Sequence, residues 1–159
     1  TLDTKNFAVK TGVRTFEAAA YLRRRGANTL TVKGMFSDNI ETYREKVDIV
    51  CKAHVYRGCA ISIAPSGDGD IRLASAQAAD EMLNLKGVDA SFVLFEDNNQ
   101  INISARSYGN VNVQIIMEKL GGGGHQTMAA TQLKNTTKEF AYQQLLSEID
   151  STLDDEENS

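Results

Sequence analysis

Four consecutive glycines, Gly121 to Gly124, constrain the fold of this chain more than any other feature of its sequence. Glycine loses more conformational entropy on folding than other residues, so a folded chain keeps such a run where it needs positive φ or close backbone approach. Residues 111–120 have the apolar spacing of a short helix, and residues 128–133 have the pattern of a strand. The sequence therefore predicts a helix, a glycine loop and a strand, with His125 at the end of the loop.

The remaining patterns predict an α/β (α+β) fold, a mixed β-sheet with helices packed on its faces. Predicted strands cover residues 56–64, 89–96 and 100–107, and residues 97–99 (Asp-Asn-Asn) are a hairpin signal. Predicted helices cover residues 13–25, 38–52, 72–85 and 138–153, with Ser37 or Asp38 as the cap of the second helix. We expect the sheet domain to occupy residues 55–153, after a separate helical part at 1–37 and a connecting helix at 38–54. Residues 154–159 are expected to form a disordered acidic tail.

Composition and charge exclude several classes of protein. The 159 residues are 42% apolar and 24% charged, which is typical of a globular chain. No run approaches the roughly 18 to 20 apolar residues of a membrane span, and two cysteines are too few for a disulfide framework. We therefore expect a cytoplasmic location. The net charge of −4 reflects an acidic end, because residues 139–159 carry seven Asp and Glu residues and no Lys or Arg.

A second feature of interest is Ser-Ala-Arg-Ser at residues 104–107, the end of the predicted hairpin. Side chains alternate along a strand, so Ser104 and Arg106 share one face of the sheet. A hydroxyl beside a guanidinium suits a phosphate or a carboxylate. Amides of the glycine run would form a nest for the same anion, and His125 would add a further hydrogen bond. The alternative is structural: Gly121 caps a helix and the following glycines form a turn.

Taken in order, these motifs resemble those of a known family. SARS, GNVNVQIIMEKLGGGGH and MAA are similar to the substrate-binding domain that accompanies DHH-family phosphoesterases, over about residues 58–150. In that family the serine, the arginine, the glycines and the histidine hold the phosphate and the base of a nucleotide. The resemblance implies the same role for six residues here, namely Ser104, Arg106, Gly122, Gly123, Gly124 and His125.

The first residues extend the resemblance. LDTKNF followed by RTFEAAAYLRRRGA is similar to the end of the DHH catalytic domain, so residues 1–37 would be the last part of that domain. This implies a pair of Mn²⁺ ions in the whole protein, with Asp3 at the position of one ligand. The other ligands of the family lie in motifs upstream of this point. We therefore expect no complete catalytic site in this chain, no bound metal and no hydrolysis by the chain alone.

In detail the sequence is most similar to the membrane-anchored cyclic-di-AMP phosphodiesterases of Gram-positive bacteria. That resemblance implies hydrolysis of cyclic di-AMP to linear pApA, with a DHH catalytic domain in the same polypeptide. It also implies a membrane anchor elsewhere in the protein, with this region facing the cytoplasm and making no membrane contact. The expected ligand is a cyclic dinucleotide or another short nucleotide, and a homodimer is left open.

Two other functions fit the same motifs. An oligoribonuclease acting on short RNA or linear dinucleotides would share the clamp, and a preference for linear over cyclic ligand would identify it. A non-catalytic nucleic-acid-binding module would bind longer oligonucleotides more tightly and lose affinity steeply with salt. The acidic tail and the lack of a stripe of basic and aromatic residues argue against this second alternative.

Overall fold

Among the residues that the structure describes, two helices lie in the first of two compact units, which divide between Asp38 and Asn39. The computed structural model describes residues 7, 11–35, 39–65 and 70–157. Helix α1 is Val13–Arg24, as the alanine-rich pattern predicts, and α2 is Thr29–Gly34, which was not predicted. Asn28 begins α2, because its side chain accepts hydrogen bonds from the amides of residues 30 and 31. Neither helix buries a residue.

One sheet forms the frame of the second unit. Its strands are β1 His54–Tyr56, β2 Cys59–Ile63, β3 Ala90–Asp97, β4 Gln100–Ser107, β5 Gly123–His125 and β6 Met128–Leu133. The spatial order is β1-β2-β3-β4-β6-β5, in which β2 and β3 are parallel and every other neighbouring pair is antiparallel. In the described part of the chain, four helices accompany the sheet: α3 Ile40–Cys51, α4 Ile71–Met82, α5 Val113–Lys119 and α6 Lys138–Glu157. The predicted fold class, a mixed sheet with helices on its faces, is confirmed.

The sheet separates two apolar layers. Strand β3 contributes to both, because Phe92 and Leu94 pack with α5 and α6, whereas Val93 and Phe95 pack with α3 and α4. All four side chains are at most 3% exposed. Burial on both faces explains why β3 is almost continuously apolar instead of alternating with polar residues.

Tight turns join two pairs of strands. Asn98 and Asn99 both have positive φ, which is the two-residue turn that suits the twist of a hairpin, and the hairpin predicted at this point is confirmed. Arg57 and Gly58 make the same kind of turn between β1 and β2. The sequence predicted a single strand over residues 56–64, so the β1–β2 hairpin corrects that prediction.

Two predicted boundaries differ from the structure. Helix α3, predicted as a connection between lobes, lies in the second unit, where Ile49 is fully buried and its carbonyl accepts a hydrogen bond from Ser62 Oγ at 2.7 Å. Its cap is Asn39, whose side chain accepts from the amide of residue 42, and the predicted caps Ser37 and Asp38 lie outside the described residues.

The chain end also differs from the prediction. Helix α6 continues to Glu157, so residues 154–157 of the tail that was predicted to be disordered are helical. Arg57 contributes to this order, because Nη1 lies 2.9 Å from Asp150 and Nη2 lies 2.8 Å from Asp154. Within the described part of the chain, no helix combines the length and the apolar character needed to cross a membrane.

Candidate functional site

The glycine run is divided between a helix cap and a strand. Gly121, at φ +78°, ends α5, and its amide donates to the carbonyl of Glu118 at 2.9 Å. The amide of Gly122 donates to the carbonyl of Met117 at 2.8 Å. These two hydrogen bonds form a Schellman motif. The first two amides of the run therefore satisfy the end of the helix and do not contribute to the predicted anion-binding nest.

The second half of the run is strand β5, where the sequence predicted a loop. The close approach of β6 explains Gly122, which precedes the strand, and Gly124, which lies within it. A Cβ on Gly122 would overlap the carbonyl of Ala130, and one on Gly124 would lie 2.5 Å from Ala129 Cα. Gly123 is different, because a Cβ there would meet nothing within 4 Å and its φ is not positive. Packing within the described residues gives no reason for glycine at 123, and the space beside it is open to a ligand.

Strand register brings Arg106 and His125 into one row. Arg106 of β4 is paired with Met128 of β6, and Met128 is paired with His125 of β5. Directly paired residues point to the same face of a sheet. Two strand spacings separate the backbones of Arg106 and His125, a distance of about 10 Å. The chain thus places a guanidinium and an imidazole on one surface although 18 residues lie between them in sequence.

The next row of the sheet repeats the arrangement. Ser104 is paired with Ala130, and Ala130 is paired with Gly123. We call the surface formed by the two rows the open face; it consists of Ser104, Arg106, Gly123, His125, Met128 and Ala130. Of the six predicted site residues, four lie on this face. Gly124 is paired with Ala129 and points to the opposite face, and Gly122 precedes the strand.

The open face is covered at one side and exposed at the other. Ser104 and Arg106 are each only 9% exposed, whereas Met128 is 48% exposed and His125 and Ala130 are also exposed. The Ser104 hydroxyl makes no hydrogen bond to any of the described residues. A ligand lying on β5 and β6 would therefore have an apolar, accessible floor at Met128 with polar groups on both sides.

Arg106 retains capacity to bind an anion. Its Nη1 donates to the carbonyl of Ala105 at 2.9 Å, and its Nε lies 3.5 Å from Oδ1 of Asp80 on α4. That Nε is buried and has no hydrogen-bond partner among the described residues. An unsatisfied buried donor on a charged group is costly, and an incoming anion that accepts its hydrogen bond would remove the cost. A phosphate fits this requirement.

The second serine of Ser-Ala-Arg-Ser has a structural role. Ser107 is 2% exposed, and its hydroxyl donates to the carbonyl of Val111 at 2.7 Å and accepts from the amide of Gly109 at 2.8 Å. These bonds hold the loop between β4 and α5. Asn112 then begins α5 by accepting from the amide of residue 114 at 3.1 Å.

Two residues of the site, Met128 and Asp80, were not predicted from the sequence. The alternation of residues 128–133 places Met128, Ala130 and Gln132 on one face, so the pattern contains Met128 once β6 is known to pair with β4. Asp80 belongs to a different helix, and no pattern in the sequence connects it with Arg106.

The predicted metal ligand, Asp3, cannot be compared with the structure. Asp3 is outside the described residues. Across residues 7, 11–35, 39–65 and 70–157, no three His, Cys, Asp or Glu side chains are grouped so that they could hold a metal ion. The described residues therefore offer no ligand set for Mn²⁺.

The fold and the open face define a class of protein, a mixed-sheet α/β domain in which one face of the sheet carries a buried arginine, a serine hydroxyl and an exposed histidine. Residues 58–155 match the family described as the DHHA1 domain, and the chain belongs to that family. The match includes both rows of the open face. The resemblance on which the site residues were predicted is thereby confirmed at the level of the family.

Two relatives carry the same activity in their names. The chain is 47% identical over 94% of its length to the cyclic-di-AMP phosphodiesterase PdeA of Listeria monocytogenes, and 42% identical over 94% of its length to the cyclic-di-AMP phosphodiesterase GdpP of Bacillus subtilis. In both comparisons the chain spans 23% of the length of the relative.

A solved structure supports the fold. An exopolyphosphatase-related protein from Bacteroides fragilis is similar over 97% of this chain and 47% of its own chain, with a TM-score of 0.79 and 18% sequence identity. At that identity the likeness concerns the fold alone.

Proposed function

We propose that this chain is the nucleotide-recognition part of a phosphodiesterase that hydrolyses cyclic di-AMP to linear pApA. The observation that carries the proposal is the row formed by Arg106, Met128 and His125 on the open face. The two relatives named as cyclic-di-AMP phosphodiesterases support the choice of ligand, since they align with nearly the whole chain.

Five residues of the open face have a chemical task in this proposal. The Arg106 guanidinium binds a phosphate through parallel hydrogen bonds, and the Ser104 hydroxyl adds a neutral one. Gly123, which lacks a side chain, lets the ligand approach the backbone of β5. Met128 supplies apolar surface for a base, and His125 donates to or accepts from the base edge or a phosphate oxygen. Gly122 and Gly124 contribute through the backbone by letting β5 lie against β6.

Catalysis belongs to another part of the whole protein in this proposal. The described residues provide no metal ligand set, so we assign the Mn²⁺-dependent step to a DHH catalytic domain in the same polypeptide. Such a protein would be anchored in the cell membrane with this region in the cytoplasm. We expect the 159-residue chain, mixed with Mn²⁺ and cyclic di-AMP, to leave the ligand intact; release of pApA, measured by chromatography, would contradict that assignment.

Calorimetric titration of the 159-residue chain tests the recognition role. The ligands are cyclic di-AMP, pApA and a short oligo-A, and the variants are Arg106→Ala and His125→Ala. Matched controls are Arg72→Ala, which removes an exposed arginine paired with Asp97, and His54→Ala, which removes a histidine bonded to Tyr142. We expect saturable binding of cyclic di-AMP that both site variants abolish and both controls preserve.

The same titration distinguishes the other functions. Tighter binding of linear pApA than of cyclic di-AMP would favour an oligoribonuclease. Affinity that grows with oligonucleotide length and falls steeply with salt would favour a nucleic-acid-binding module. Binding that is unchanged in the Arg106 and His125 variants would show that the ligand does not use the open face.

A further inference from the structure

Asp80 of α4 approaches the buried guanidinium of Arg106 from above the sheet. Its Oδ1 lies 3.5 Å from Arg106 Nε, close enough for the charges to attract but too far for a good hydrogen bond. The Arg106 side chain is 11% exposed and the Asp80 side chain is 41% exposed, so the carboxylate is the more accessible of the two charged groups. An anion that reaches Arg106 therefore arrives beside a negative charge.

A hydrogen bond between strand β3 and helix α4 fixes the position of Asp80 relative to Arg106. Ser91 of β3 is paired with Arg106 of β4, so the two residues are neighbours on the same face. The Ser91 hydroxyl donates to the carbonyl of Ala79, the residue before Asp80, at 2.6 Å. Ser91 and Ala79 are fully buried, which excludes water from this hydrogen bond. The backbone of α4 is thus fastened one residue away from Asp80, directly beside Arg106.

We propose that Asp80 is a positioning residue that orients Arg106 and partly offsets its charge, so that the site favours a phosphodiester over a terminal phosphate. The inference rests on the proposed function. A phosphodiester carries one negative charge, whereas a terminal phosphate monoester carries about −1.5 to −2 at pH 7. Repulsion from Asp80 rises with the charge of the ligand. Cyclic di-AMP has only diesters, and the product pApA adds a terminal phosphate, so Asp80 disfavours retention of the product.

The test compares Asp80→Asn, Asp80→Glu and the matched control Glu81→Gln. Glu81 is the next residue of α4 and is exposed, and its substitution removes the same charge without touching Arg106. We expect Asp80→Asn to strengthen pApA binding relative to cyclic di-AMP by about two- to fivefold, as for a partly exposed charge pair. Glu81→Gln should leave that ratio unchanged. Asp80→Glu keeps the negative charge and should therefore give the same ratio as the wild type. A ratio that is equal in wild type and Asp80→Asn would overturn the proposal.

A second measurement needs no ligand and separates this inference from the proposed function. The Nε–H signal of Arg106 can be followed by ¹⁵N nuclear magnetic resonance in the free chain. If Asp80 orients the guanidinium, solvent exchange of this proton should accelerate in Asp80→Asn and stay unchanged in Glu81→Gln. An unchanged exchange rate in Asp80→Asn would contradict the inference. Failure of the wild type to bind either dinucleotide would contradict the proposed function, and the exchange rate would then decide the role of Asp80.

Discussion

Gly124 lies against Ala129 so closely that a Cβ on the glycine would come within 2.5 Å of the alanine Cα. Its φ of +150° adds a second obstacle to any side chain. Gly123, one residue earlier, has neither obstacle. The two adjacent glycines of β5 therefore differ in what their lack of a side chain provides. Gly123 leaves space beside the open face, whereas Gly124 allows β5 to lie against β6.

Alanine substitution should separate these two reasons. Gly124→Ala forces an overlap in a packed strand pair, and we expect it to lower the free energy of unfolding by about 1 to 3 kcal/mol. Gly123→Ala should change that free energy by less than about 0.5 kcal/mol, because its Cβ has room. Urea denaturation of both variants gives the comparison. In the dinucleotide titration, Gly123→Ala should nevertheless weaken binding, and full affinity in that variant would argue against a ligand at this strand.

The second prediction concerns Ser107, whose buried hydroxyl bridges two backbone groups. Ser107→Ala leaves the amide of Gly109 and the carbonyl of Val111 without their partner. We expect a loss of about 1 to 3 kcal/mol in the free energy of unfolding. Ser151→Ala, which removes an exposed hydroxyl bonded to Lys119, is the control and should change it by less than about 0.5 kcal/mol. Equal stability of the two variants would contradict the structural role of Ser107.

Stability at high pH should depend on Cys59. Burial of its side chain raises the pKa of the thiol from 9.0 to about 11. Because the folded pKa is the higher one, the stabilisation is complete below pH 9 and is lost as the pH rises from about 9 to about 11. Over that window the wild type should lose up to roughly 2 to 3 kcal/mol more than Cys59→Ala.

Urea denaturation at several pH values between 8 and 11 measures this difference. Other groups titrate in the same range, so the quantity of interest is the wild-type loss minus the loss in Cys59→Ala. The control Cys51→Ala removes the exposed thiol and should behave as the wild type does. Parallel curves for the wild type and Cys59→Ala would disprove the prediction.

The end of α6 should loosen when Arg57 is replaced. Arg57 pairs with both Asp150 and Asp154, and these partners raise the pKa of the guanidinium and keep it charged. In Arg57→Ala we expect amides of residues 150–157 to exchange with solvent severalfold faster, while amides of β3 keep their protection. High salt should reduce the difference by screening the pairs in the wild type. Arg72→Ala is the control, and the same acceleration in that variant would count against the role of Arg57.

Much of the fold could be predicted from local sequence patterns. Asn98 and Asn99 predicted the β3–β4 hairpin because asparagine tolerates the positive φ that a two-residue turn needs. Helical spacing placed α1, α4 and α6 within a few residues of their observed starts, and the alternation along β4 put Ser104 and Arg106 on one face. These features depend on neighbours in sequence, so a single chain reveals them.

Contacts between distant segments were not predictable in this way. The row that joins Arg106 and His125 exists because β6 lies between β4 and β5, and no local pattern states that order. Strand β5 was missed because glycine has low strand propensity, and β6 overrides that preference by pairing. The Arg57–Gly58 turn was missed because arginine is an unusual residue at positive φ. Asp80 meets Arg106 only through the packing of α4 on the sheet.

The two apolar layers of the sheet have no buried side chain in common. Substitutions in separate layers should then have additive effects on stability, as for residues without shared partners. Helix α4, with Asp80, belongs to one layer, whereas α5, which leads into the glycine strand, belongs to the other. Substitutions in the layer of α4 can therefore change the surroundings of Arg106 without disturbing the packing of α5, which leads into the strand that carries His125. Ligand preference and the stability of the scaffold can thus vary independently among relatives.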